Sequence, residues 1–357
     1  MSKPSVSVLI DTYNHERFIE KAITSVLEQD MPMADVEIVV VDDGSKDRTP
    51  EIVRGFAPRV RLVQKPNGGQ GSAFNFALPI LQGEIIAMLD GDDWWAPQKL
   101  RRALETLEQN PEVGIVGHGQ YEVYSDGRPN GLVIPGEVHR MDLTTLEGAE
   151  LFRHLAGFFG TSKMTIRRSV LEKILPVSEE LVIEADEYIF TLAPAIAPAI
   201  CLNEPLFYYG FHTGNLFQFQ SYDPAKARRK MHVLDVLVRD LPPRLLELGV
   251  SQKAIDIIFS GTRVEIERMR LGLDGGSPVR TFNVERAAYG LAYSKVTWRH
   301  RVFQALVLAQ TLLLPPKVFY RMRRWYSEKG LSRLRAWTGN PVPVVHIVER
   351  RPEARTR

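Results

Sequence analysis

Four short apolar runs divide the first part of the chain: Ser5–Ile10, Val36–Val41, Arg61–Val63 and Ile85–Leu89. The second and fourth show no polar alternation, the pattern of strands buried on both faces. Between the first two, Phe18, Ile19, Ala22, Ile23, Val26 and Leu27 recur at helical spacing, with Asn14 placed to cap that helix. Thr49-Pro50 starts a second helix with proline at the first helical position. A loop, Lys65–Gly71, leads to a third helix through Ala73 to Leu81. Strand and helix alternate, so the pattern predicts an α/β fold on a mainly parallel sheet with right-handed crossovers.

Farther along, the pattern predicts an amphipathic helix over Pro97–Asn110, a strand at Val113–Gly117, and hairpins or loops across the Gly-, Pro- and Asp-rich Gln120–Leu143. A helix over Leu146–Phe159 and a strand at Ser162–Ile166 follow. Acids open an apolar helix at Ile183–Phe190, and a strand from Leu206 ends in a polar turn at Asn215. Beyond Ser221 the chain is helix-forming and rich in Arg. The expected domains are therefore 1–220 and a mainly α-helical region, 221–357.

Composition narrows the partners. Hydrophobic residues at 44% and charged residues at 25% are ordinary for a globular chain, and a net charge of +2 gives no reason to expect nucleic acid. The single Cys201 rules out an intramolecular disulfide and a multi-cysteine metal site. It suits a reducing compartment. No leader pattern and no apolar run of about twenty residues is visible, so a cytoplasmic protein without a membrane span is expected.

The candidate chemistry lies at the strand ends. Asp11 follows the first strand, Asp42 and Asp43 the second, and Asp90, Asp92 and Asp93 the fourth. Open parallel sheets bind ligands beyond the carboxyl ends of their strands. Acids gathered there need a cation or hydrogen-bond donors to offset their repulsion. Carboxylates spaced by a small residue, here Gly91, suit a hard divalent ion that also holds a phosphate.

Five motifs occur in one order: Ile10-Asp11-Thr12-Tyr13-Asn14, Val41–Asp47, Asn67–Asn75, Leu89-Asp90-Gly91-Asp92-Asp93-Trp94, and the late Asp186-Glu187 with His212. Together they resemble the inverting nucleotide-sugar glycosyltransferases of the GT-A fold, glycosyltransferase family 2, over roughly the first 215 residues. The resemblance implies a nucleoside-diphosphate sugar donor, a UDP-sugar favoured, and a glycan or lipid-linked acceptor. It implies a divalent metal, Mn²⁺ or Mg²⁺, on Asp92 with Asp90 close by and His212 near the ion or the diphosphate. Thr12, Tyr13, Asn14, Asp42 and Asp43 would meet the nucleotide, and Asn67, Gly68, Gly69 and Gly91 would border the donor. The base would be Asp186 if Ile189 takes the place of the family's usual leucine. A register shifted by one residue makes it Glu187. Phe74 departs from the family, because many members carry an arginine there that meets the diphosphate. That contact then falls to the metal, to backbone amides, or to Lys65 or Lys163. Trp94 and Trp95 are expected to be part pocket wall and part core, and His15 and His118 structural.

A sugar nucleotidyltransferase would carry a Gly-rich, basic loop after the first strand, where this chain has Asp11–Glu16. A non-catalytic nucleotide-sugar-binding module of the same fold fits less well with an intact acidic cluster. In the last third, Arg299, Arg301, Lys317, Arg321, Arg323, Arg324, Lys329, Arg333 and Arg335 face one acid, Glu328. They bracket the apolar Val302–Leu314. That segment fits either a helix lying on the cytoplasmic face of an anionic membrane or a bundle helix whose arginines reach into water.

Overall fold

The structure is a computed structural model that describes residues 5–124, 128–211, 223–292, 296–328 and 347–350. Contacts within the chain define two units. The first is Met1–Gln220 with Asp240–Ile255 and Ile347–Arg357; the second is Ser221–Arg239 with Asp256–His346.

The first unit is built on an eleven-stranded mixed sheet. Its parallel block holds β1 (Val6–Thr12), β2 (Val36–Asp42), β3 (Arg61–Gln64) and β4 (Ile85–Asp90), in the order β4-β1-β2-β3. Alternate residues of these strands fill opposite faces. Val8, Ile10, Ile38, Val40, Ala87 and Leu89 meet Ile19, Ala22, Ile23 and Val26 of α1 (Ile19–Leu27). Val39, Val41, Ile86 and Met88 are buried as well, which is why the runs lack polar alternation. Helices α2 (Thr49–Arg54) and α3 (Gln70–Ala77) make the crossovers.

The short β5 (Trp94–Trp95) and α4 (Lys99–Gln109) lead into the antiparallel part. There β6 (Ile115–Tyr124) pairs with β7 (Pro129–Ile134) in a hairpin, followed by β8 (His139–Met141). Next come α5 (Leu146–Leu155), β9 (Thr165–Arg167), α6 (Arg168–Ile174), α7 (Ala185–Ile196) and β10 (Ala199–Phe211). β9 runs antiparallel between β4 and β6, and β10 pairs parallel with β6. Of the hairpins or loops expected across 120–143, the described residues form the β6–β7 hairpin and the short β8. The strand expected from Ser162 begins at Thr165 instead, because Thr161–Lys163 form a 3₁₀ turn that points Ser162 at the acids of β4.

Asn14 is not a helix cap. It has φ 57°, its N–H donates to Ser45 Oγ (2.8 Å), and its Oδ1 accepts from Lys46 N (2.8 Å), so it ties the β1 loop to the β2 loop. α1 starts at Ile19 with no side-chain cap.

Segment Asp240–Ile255 joins the first unit partly through Arg244, which donates to the Tyr188 hydroxyl (3.0 Å) and to the carbonyls of Ile174 and Lys173. The remaining helices are α8 (Pro224–Glu247), α9 (Gln252–Leu273), α10 (Pro278–Ala292), α11 (Trp298–Leu313) and α12 (Pro316–Glu328). β11 (Val348–Arg350) pairs with β7. In the second unit Leu271, Phe319 and Tyr320 form a core. The fully buried Glu285 accepts from Arg268 through both oxygens (2.9 and 2.8 Å) and also pairs with Arg323. Among the described residues no helix is long and apolar enough to cross a membrane.

Candidate active site

Strand register brings the acids together. Asp11 of β1 lies beside Asp90 of β4, and Thr12 lies beside Asp42 of β2. Burial pushes the Asp11 carboxyl up to about 7, helped by the charges of Asp186 and Asp92. Asp90 is raised well above the usual carboxylate range by burial, then by Asp11, Asp93 and Asp92. Asp93 is raised by burial and by Asp92. Gly91 permits this crowding: a Cβ there would stand 2.7 Å from Thr12 Oγ1 and 2.8 Å from His15 Nδ1.

The second-strand acids face inward. Asp42 is fully buried, accepting from Ser45 N (3.0 Å) and Gln64 Nε2 (3.1 Å). Asp43 accepts from Lys65 Nζ (2.6 Å), Gly68 N (3.0 Å) and Gly69 N (2.8 Å), and its carbonyl accepts from Asn67 Nδ2 (3.0 Å). Asp43 therefore folds the 65–69 loop onto itself. Gly69 has φ 84°, and a Cβ there would meet Val182 Cα at 2.6 Å. Its lack of a side chain lets the loop press against the segment before α7.

That segment delivers Asp186. Gln70 is the link: its Oε1 accepts from Ala185 N (2.9 Å), and its Nε2 reaches Thr161 Oγ1 (3.3 Å) and Asp90 Oδ1 (3.5 Å). Asp186 Oδ2 accepts from Thr161 N (2.9 Å) and Oδ1 from Glu187 N (3.0 Å). Burial raises the Asp186 carboxyl, against these amides, which lower it. Ser162 holds the other side, donating to Asp93 Oδ2 (2.6 Å) and accepting from Asp90 N (3.2 Å).

Asp11, Asp90, Asp92 and Asp186 thus gather at one edge, with Thr12 adjacent. Tyr13 is 40% exposed at the mouth of the β1 loop. Glu187 follows Asp186 in the first turn of α7. His212 lies outside the described residues. Phe74 is core. Of the two lysines expected near a diphosphate, Lys65 is committed to Asp43, whereas Lys163 donates to Gly157 O (2.6 Å) and is brought down to about 8 by burial. Trp95 is core, with Nε1 donating to Ser162 O (2.8 Å). Trp94 is half-buried, stacked on Tyr208 (5.7 Å), with Lys21 Nζ 3.1 Å from its ring. His118 is buried, with Nδ1 at 2.8 Å from Gly119 O. His15 is closer to the chemistry than expected. Its Nε2 lies 4.0 Å from Asp92 Oδ2, and its Nδ1 3.2 Å from Thr12 Oγ1. Gln70, Thr161 and Ser162 were not singled out from sequence, because nothing local marks them.

The donor set fits a hard cation. Asp11 Oδ1 is buried and finds no hydrogen-bond partner among the described residues, and its neighbours are carboxylates. Oxygen ligands of this kind suit Mg²⁺ or Mn²⁺ held by one or two carboxylates and completed by phosphate and water. Among the described residues no three His, Cys, Asp or Glu side chains converge as a ready-made cage.

Residues 7–175 match the family model described as Glycosyl transferase family 2. An uncharacterized glycosyltransferase of Nostoc sp. is 33% identical over 225 residues, 59% of this chain and 66% of that protein. Chondroitin synthase of Pasteurella multocida is 36% identical over 155 residues, 42% of this chain and 16% of that protein. The chain thus spans less than two thirds of these relatives' lengths. S. aureus TarS 1-349 in complex with UDP-GlcNAc superposes with a TM-score of 0.55 at 20% identity, covering 79% of this chain and 81% of that one. That likeness concerns the fold.

Proposed function

The chain belongs to glycosyltransferase family 2, and on that premise we propose that it moves a sugar from a nucleoside-diphosphate donor to an acceptor hydroxyl by direct displacement, with inversion. The observation that carries the reading is Asp186: α7 brings its carboxylate to the edge where Asp11, Asp90 and Asp92 meet.

Asp186 is the general base in this reading. The acceptor oxygen bonds to the anomeric carbon as the bond from that carbon to the diphosphate breaks, and Asp186 takes the hydroxyl proton. Burial raises the proton affinity of Asp186 and makes it a better base, while the amides of Thr161 and Glu187 fix its direction. Glu187 is the alternative base. Asp92 with Asp90, and His212 as the resemblance implies, would hold a divalent ion, Mn²⁺ or Mg²⁺, which would supply charge neutralisation to the departing diphosphate. Thr12, Tyr13, Asn14 and Asp42 border the nucleotide, and the Asn67–Gly69 loop, shaped by Asp43, borders the donor with Gly91. The UDP-GlcNAc in the TarS fold neighbour supports a UDP-sugar. The chondroitin synthase relative supports a glycan acceptor, free or lipid-linked, of the cell-envelope polysaccharide type.

The test is a thermal-shift panel of nucleoside diphosphates and nucleotide sugars, with and without Mn²⁺. We expect stabilisation by one nucleotide class and hydrolysis of its sugar conjugate, lost in Asp92→Ala and Asp186→Ala and retained in Glu187→Gln. If no nucleotide stabilises the protein under any metal condition, the assignment fails.

A further inference from the structure

Helix α11 is apolar on two opposite faces. His300 and Thr311 are buried, and Val307 and Leu314 pack on the core of Leu271, Phe319 and Tyr320. The other face carries Trp298, Val302, Leu306 and Leu313, exposed by 68%, 42%, 59% and 81%. At the helical repeat these four fall within an arc of about 80°. Ala305 and Ala309 lie along the same stripe and are exposed too. A helix on the surface of a bundle ordinarily turns polar side chains to that side. Single exposed apolar residues are unremarkable, but a stripe along all 16 residues of a helix marks a docking surface.

Charge identifies what covers it. Arg299 and Arg301 flank the stripe at its start, Lys317 and Arg321 follow its end, and all four are exposed. Residues 296–328 contain one acid, Glu328. The first turn of α11 has none, so its arginines stand where the helix dipole is already positive. The Arg299 guanidinium lies 5.6 Å from the Trp298 ring, a pairing of aromatic and base that suits a membrane–water boundary. A second copy of this basic face would repel it. A bilayer with anionic headgroups offers an apolar layer beneath a negative one, which matches both features at once.

We propose that α11 lies in the interface of an anionic lipid bilayer, with Leu306 and Leu313 in the acyl boundary and the basic residues at the headgroup phosphates. The test is cosedimentation of the full chain with phosphatidylcholine vesicles, with and without phosphatidylglycerol, at low and high salt. We expect binding to the anionic vesicles alone, weakening as salt rises. Leu306→Asp/Leu313→Asp should lower partitioning by about a hundredfold or more. Arg299→Gln/Arg301→Gln should lower it by about tenfold or more at low salt. Both variants should keep the wild-type circular dichroism and Tm, because these side chains face solvent. The proposal is overturned if the wild type does not sediment, or if both variants sediment like it. It is equally overturned if RNA binds without regard to the leucines, or if the leucine variant instead dissolves a lipid-free dimer in analytical ultracentrifugation. Donor and acceptor are absent from the assay, so its outcome is independent of the transferase assignment.

Discussion

Asp43 and Lys65 form the most enclosed ion pair of the donor edge, with side chains 7% and 9% exposed and 2.6 Å between the charged atoms. Asp43→Ala strands the ammonium and leaves the amides of Gly68 and Gly69 without their acceptor. Removing one partner of a buried pair costs about 3–5 kcal/mol. Each orphaned amide would add about 1–3 kcal/mol if it stayed buried. The loop can open to water, which caps the sum, so the expected loss is about 3–5 kcal/mol. For a domain of this size that lowers Tm by about 6 °C or more. Lys65→Met leaves both amides on Asp43 and should cost less, about 1–3 kcal/mol. Circular-dichroism melts of the two single variants and the double variant close a double-mutant cycle. We expect the loss in the double variant to fall short of the sum of the single losses by about 1–3 kcal/mol of coupling. Nucleotide-induced stabilisation should be lost with Asp43→Ala, because the loop no longer holds its shape. If Asp43→Ala melts within about 1 °C of wild type, or the losses add, Asp43 does not anchor this loop and its carboxylate is available to a ligand instead.

Three further outcomes follow from the same geometry. Ser162→Ala removes the hydroxyl between Asp93 and the Asp90 amide and should cut donor hydrolysis by about tenfold or more, with Ser162→Thr recovering part of it in a steady-state assay. Lys99 is fully buried, with Nζ 3.0 Å from Thr165 Oγ1 and 3.7 Å from the Trp95 ring, and burial holds its ammonium well below the usual lysine range. The unfolded chain then binds the proton more readily than the folded one, so this lysine destabilises at neutral pH and less as pH rises toward 10.5. Lys99→Met should therefore be more stable than wild type in urea near neutral pH, with the gap closing as pH rises; a gap that widens refutes the sign. Gly69→Ala puts a Cβ 2.6 Å from Val182 Cα at a φ of 84° and should cost about 1–3 kcal/mol. Val182→Gly should not rescue its melting temperature, because the Val182 carbonyl oxygen also lies 2.8 Å from that Cβ.

What could be read from sequence was local. Ile85–Leu89 is apolar throughout and Val36–Val41 at every position but Glu37, so both announce strands, and each strand end displays its own acid within the next few residues. Alternation with helices then fixes that those ends share one edge, so the meeting of Asp11 with Asp90 and of Thr12 with Asp42 needs only the register. The misreadings were local as well. Asn14 has the composition of a cap, but its Oδ1 is taken by Lys46 N, a residue 32 positions away. By contrast, the hairpin reading of Gln120–Leu143 matches the pairing of β6 with β7.

The supporting residues were out of reach for the opposite reason. Ser162 and Asp93 are 69 positions apart, and Gln70 and Ala185 are 115 apart. A lone serine or glutamine carries no periodicity and no charge, so only the folded chain reveals that it fixes an acid. The C-terminal third shows the same limit at the scale of a helix. Apolar residues of Val302–Leu314 fall all round the helix, with only Gln304, Gln310 and Thr311 between them, so periodicity could not choose between a bundle helix and a surface helix. In the structure Val307 and Leu314 pack on the core of Leu271, Phe319 and Tyr320, whereas Leu306 and Leu313 are exposed, which is the basis of the membrane proposal. The exposed arginines around it then become the informative residues, because packing within the bundle does not require them.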